Sequence, residues 1–88
     1  MTQFLVEVFT PRGRAEDVAS AERRAISAAE RLSSAEGAIR YVRATYVPED
    51  EICFFVFDAP SAQDVALVAE RAGLEPIRVV EAVSSGKE

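Results

Sequence analysis

Ile52-Cys53-Phe54-Phe55-Val56-Phe57 is apolar at every position. A strand with one wet face alternates apolar and polar residues, whereas an unbroken apolar run is covered on both faces. The segment therefore reads as a central strand. It follows Pro48-Glu49-Asp50-Glu51, an acidic connection of hairpin length, and stops at Asp58-Ala59-Pro60. Across that connection Ile39 to Val47 has polar groups on both faces. Ile39, Tyr41, Arg43, Thr45 and Val47 fall on one, and Arg40, Val42, Ala44 and Tyr46 on the other. That pattern suits an edge strand.

Downstream, Ser61 is placed to accept from first-turn amides with Asp64 three residues on, and Val65, Val68, Ala69 and Ala72 recur along one helical face. Gly73 suits a left-handed cap with Leu74 packing back, Pro76 prevents the helix continuing, and Ile77 to Val83 makes a last strand. Upstream, Gln3-Phe4-Leu5-Val6-Glu7-Val8-Phe9 is β-branched and aromatic and halts at Thr10-Pro11-Arg12-Gly13. From about Arg14 to Glu36, Val18, Ala21, Ala25, Ala28, Ala29 and Leu32 recur three or four apart. Glu16, Asp17, Glu22, Arg23, Arg24, Glu30 and Arg31 fall mostly off that face and read as solvated. Gly37 is available as a left-handed cap for this first helix.

The order is βαββαβ. Right-handed crossovers turn it into a ferredoxin-like α+β fold, a four-stranded antiparallel sheet with two helices on one face. Strands one and three are central in that fold, and they are the two with the most continuous apolar sequence. Residues 1–83 make one domain, and 84–88 make a tail with nothing to bury, expected to fray. The helices cover only one face, so Leu5, Phe9 and one alternate set from strand three are left as an apolar patch. A second copy of the sheet is the simplest cover, which predicts a homodimer paired as a dimeric α+β barrel. A chain of 88 residues, which buries only roughly 60–65% of its unfolded surface, gains from such a partner.

Fifteen acidic against ten basic residues give a net charge of −5, which opposes a phosphate backbone and argues against nucleic acid as a partner. The single cysteine, Cys53, excludes an internal disulfide, and its apolar neighbours make it a core residue. Met1-Thr2-Gln3 lacks positive charge and the following apolar run is broken at Glu7, so no signal peptide or membrane span is expected, and a cytoplasmic location follows as the default.

The sequence has no histidine, no paired cysteines and no glycine-rich phosphate loop, so no catalytic residue, metal ligand or cofactor is assigned. Glu7 is the most informative acid. It interrupts an apolar strand and shares its face with Leu5 and Phe9, where it reads as an interface salt bridge with Arg43 or Arg78, or as a ligand residue. Tyr41, Arg43 and Thr45 place an aromatic, a cation and a hydroxyl within about 14 Å on one strand face. That set suits a small anionic or planar ligand, or the charged edge that deters unwanted strand pairing. Glu49-Asp50-Glu51 reads as a solvated turn before it reads as a cation site.

The segments Arg40-Tyr41-Val42-Arg43, Val47-Pro48-Glu49-Asp50, Phe57-Asp58-Ala59-Pro60-Ser61, Ala72-Gly73-Leu74 and Arg78-Val79-Val80-Glu81 resemble a bacterial domain family, common in actinobacteria and without an established reaction. One of its members is a small nickel-binding protein. The resemblance spans about Phe4 to Val83 and implies a ferredoxin-like chain paired into a dimeric α+β barrel. Relatives often carry histidine on the sheet strands and this chain has none, so no metal ligand is carried over. Two functions remain open at this point. One is a homodimeric binding or structural module holding a small ligand between sheets, with Glu7, Tyr41 and Arg43 as ligand-binding residues. The other is a cofactor-independent, monooxygenase-like enzyme of the same architecture, supported by fold analogy alone.

Overall fold

A computed structural model describes residues 2–33 and 37–83. The elements are β1 (Thr2–Phe9), α1 (Ala15–Leu32), β2 (Arg40–Val47), β3 (Ile52–Ala59), α2 (Ala62–Arg71) and β4 (Pro76–Ala82). The strands form one antiparallel sheet in the order β2-β3-β1-β4. The fold is ferredoxin-like, with the two most apolar strands in the middle. The tail Ser84–Glu88, expected to fray, lies outside the described residues.

The core lies between one sheet face and the helices. Phe4 and Val6 from β1 meet Cys53, Phe55, Phe57 and Ala59 from β3, and Ala25, Ala28 and Ala29 of α1 and Val65, Val68 and Ala69 of α2 close over them. Burying Phe55 and Phe57 contributes on the order of 1.5–3 kcal/mol each. The alanine face of α1 lets that helix lie close to the sheet, as a slim stripe of small side chains allows.

Helix ends follow local chemistry. Ser61 caps α2, its Oγ accepting the Asp64 amide at 3.2 Å. At the other end Gly73 has φ +73°, and Leu74 N–H donates to Ala69 O while Gly73 N–H donates to Glu70 O, a Schellman ending with Leu74 buried beneath it. Pro76 opens β4, where a missing N–H is tolerated.

The cap of α1, though not the place where the helix stops, differs from expectation. The helix closes at Leu32, and Ser33 is extended, with its Oγ bonded to Ala29 O at 2.8 Å and accepting the Ile39 amide at 2.9 Å. One hydroxyl thus satisfies the last turn and starts the return to β2. Gly37 is not a left-handed cap. Among the described residues the positive-φ glycines are Gly13 and Gly73, and the Gly37 backbone lies so close to Pro60 that a Cβ would stand 2.7 Å from its Cγ. The need there is for space, not for handedness.

The turn between β2 and β3 is tied to the start of α1. Arg12 donates from Nε to Pro48 O and from a terminal nitrogen to Glu49 O, each at 3.2 Å, and its amide donates to the Glu51 carboxylate. Glu51 holds φ +56°, uncommon for a residue with a side chain, and its carbonyl accepts the Thr10 amide at 2.7 Å.

Candidate functional site

The helix-free face of the sheet can be read in rows from the register. One row is polar: Arg40, Asp58 and Gln3, with Arg40 bonded to Asp58 at 2.6 Å and the Gln3 amide within 3.5 Å of the same carboxylate. The guanidinium holds the Asp58 carboxyl below the usual carboxylate range, against the opposing effect of burial and with further help from Gln3. The next row runs Arg43, Val56, Leu5, Val80, and the one after it Thr45, Phe54, Glu7, Arg78. Val47, Ile52 and Phe9, with Ala82 beside Gln3 at the other end, complete the face, and Phe9 is 58% exposed.

Glu7 lies at the centre of this surface. Arg78, its partner on β4, donates from Nε at 2.7 Å. Of the two arginines expected near Glu7, it is Arg78 that meets it. Arg43 lies one row away and two strands across, so about 10 Å of sheet separates it from β1. Arg43 makes no ion pair among the described residues and is exposed.

Tyr41 is not on this face. The β2–β3 register passes from Tyr41↔Phe57 to Arg43↔Val56, which leaves Val42 as an extra residue and reverses the parity of the strand before it. The expected alignment of Tyr41 with Arg43 and Thr45 is therefore corrected: Arg43 and Thr45 share the open face, whereas Tyr41 joins Ala44 and Tyr46 against the core. Its ring meets Phe57 edge to face at 5.4 Å, and its hydroxyl donates to Glu22 of α1. Burial and the Glu22 carboxylate both push the phenol well above its ordinary range. Glu22, read from the helical wheel as solvated, is thus half-buried and engaged. Tyr46 completes the edge by donating to the carbonyls of Thr10 and Pro11, both at 3.0 Å.

Cys53 lies in the core with no exposed surface, and burial, aided by the Glu22 carboxylate, pushes its thiol up to about 11. The acidic turn is engaged by Arg12. Among the described residues, no three cysteine, aspartate or glutamate side chains converge on a point where they could hold a metal ion. No helix among them is long and apolar enough to cross a membrane. The Arg40–Asp58–Gln3 row was missed from sequence. The hairpin register alone would set Tyr41 opposite Asp58, and the extra residue Val42 brings Arg40 there instead, so the sequence carried no signal for this row.

Comparison with known proteins places this geometry in a family. The crystal structure of SCO4226 from Streptomyces coelicolor A3(2) superposes with a TM-score of 0.78 over 96% of this chain and 99% of that one, at 19% identity, a likeness of fold. None of the curated proteins searched matches the chain. A family model described as nickel responsive protein SCO4226-like matches residues 4–82, the stretch whose turn and cap segments carry the resemblance noted above. The chain belongs to the SCO4226-like family of nickel responsive proteins.

Proposed function

We propose that the protein is a homodimeric binding module in which two copies pair through their helix-free sheet faces and hold a small anionic or planar organic ligand between them. The observation that carries this reading is the pair of rows Val56–Leu5–Val80 and Phe54–Glu7, apolar around a single carboxylate, on a face that neither helix covers. Val56 is 2% exposed yet stands apart from the helix-side core. Around it Leu5, Phe54 and Val80 are only half-buried and Phe9 is exposed, so this second apolar layer lacks cover, and a self-complementary surface is the simplest one to supply it. Arg43, exposed and without an ion pair among the described residues, offers the ligand a bidentate cation.

The family description concerns nickel, and the donors of this chain do not fit that ion. There is no histidine in the 88 residues, and the one thiol is enclosed in the core. Scattered carboxylates favour harder cations. The ligand proposed here is therefore organic.

Sedimentation equilibrium at micromolar concentration tests the pairing. The expected mass is about twice the 9.6 kDa chain. A well-folded monomer throughout that range removes the support for a ligand held between two sheets.

A further inference from the structure

On the opposite layer, a groove of about 350 Å³ runs along α1 and takes in the end of α2, lined by Arg23, Arg24, Ser27 and Arg31 from the first helix and Arg71 from the second. Four of the nine arginines in a chain of net charge −5 thus converge on one concavity, and no carboxylate lines it among the described residues. Arg31 and Arg71 each stand in the last turn of a helix, where a cation complements the dipole. That accounts for each residue separately and not for their convergence, which costs mutual repulsion. Nor are they neutralised locally: Arg23, Arg31 and Arg71 make no ion pair among the described residues.

Arg24 differs from the other three. Its Nε donates to Ala72 O at 2.8 Å and a terminal nitrogen to Ser20 Oγ at 2.8 Å, so it fastens α1 to the end of α2 and fixes one wall of the groove. A guanidinium held this way presents its remaining N–H groups in a set direction.

We infer that this groove binds the phosphate group of a small molecule. Guanidinium forks match phosphate oxygens bidentately, Ser27 adds a hydroxyl donor, and a concave site focuses the local positive potential. The overall charge of −5 repels an extended polyanion, so the ligand is a small phosphate ester or diphosphate and not a nucleic acid. The inference is independent of the sheet-face reading, since the groove is built from helix residues alone.

Calorimetric titration of the whole protein with pyrophosphate and with inorganic phosphate, at constant ionic strength, tests it. The expected result is saturable binding of one pyrophosphate per chain, weakened about tenfold in Arg31→Gln, Arg71→Gln and Arg23→Gln, with unchanged circular dichroism because all three side chains are exposed. Arg14→Gln removes the same charge outside the groove and should leave the affinity within about twofold. Absence of saturation, an equal loss in Arg14→Gln, or succinate binding as tightly as pyrophosphate overturns the assignment.

Discussion

Glu7 on β1 and Arg78 on β4 stand opposite one another, and the ion pair they make is lopsided: the Glu7 side chain is 12% exposed and that of Arg78 is 64%. The carboxylate is enclosed by the sheet surface while its counter-ion reaches in from the rim. Within one chain such a pair contributes little, because the guanidinium stays solvated. Covered by a second sheet, the same pair loses water and each partner then depends on the other.

Glu7→Gln should therefore leave the monomer fold intact, with a thermal midpoint changed by only a few degrees, while shifting the dimer dissociation constant by about tenfold or altering ligand capture. Sedimentation at several concentrations reads the first, and mass spectrometry of co-purified small molecules under native conditions reads the second. If neither quantity moves, Glu7 is an ordinary strand residue and the sheet face holds no site.

The Arg40–Asp58 pair predicts an acid dependence. The folded Asp58 carboxyl is held below its ordinary value, so the ionised form is favoured by folding. This contribution is complete above the unfolded value of about 3.9 and is lost as the pH falls through the lower folded value. Urea denaturation of Asp58→Asn should show a midpoint that changes less between about pH 5 and pH 2 than that of the parent protein. Parallel curves for the two proteins would mean that Arg40, with a side chain 71% exposed, holds the carboxylate too loosely to matter.

Gly37→Ala should destabilise the protein by about 1–3 kcal/mol, since the new methyl would stand 2.7 Å from Cγ of Pro60, and a proline ring has little freedom to yield. Ala38→Gly, one residue on, serves as the comparison for backbone entropy. A denaturation midpoint for Gly37→Ala equal to that of the parent would show that the loop before β2 shifts away from Pro60 without cost.

Much of the architecture was legible in the sequence because it depends on residues acting locally. The unbroken run Ile52–Phe57 marks a central strand whatever surrounds it, and Ser61 and Gly73 bound α2 through bonds made within a few residues. Glu7 was placed on the helix-free face by parity alone, since β1 is paired with β3 without interruption. The site was legible only in part because parity fails at a bulge. Val42 adds one residue to β2, and nothing about a valine in a strand announces that. The available hint was the spacing of Tyr41 and Tyr46. Five residues apart, they cannot share a face in a regular strand, yet both have an apolar ring suited to the core and a hydroxyl suited to its rim. The arginine groove was hidden for a different reason. A wheel of α1 shows Arg23 and Arg31 as solvent-facing, and only the packing of α2 alongside brings Arg71 to them.

The bulge separates two residues that sequence had grouped, and variants of each should have unrelated effects. Tyr41→Phe removes the hydroxyl that donates to Glu22 and leaves that carboxylate half-buried without its donor, at a cost of about 1–3 kcal/mol. Arg43→Ala removes an exposed side chain from the other face and should cost less than about 0.5 kcal/mol. The order reverses for assembly and binding: Arg43→Ala should change dimerisation or ligand retention, and Tyr41→Phe should change neither, because its hydroxyl points to α1 and not to the second sheet. Denaturation midpoints and sedimentation of the two variants, measured side by side, check all four expectations. If Tyr41→Phe disturbed dimerisation at unchanged stability, the register across Val42 in the assembled protein would differ from that of the single chain. Tyr41 would then return to the face it was first expected to share with Arg43.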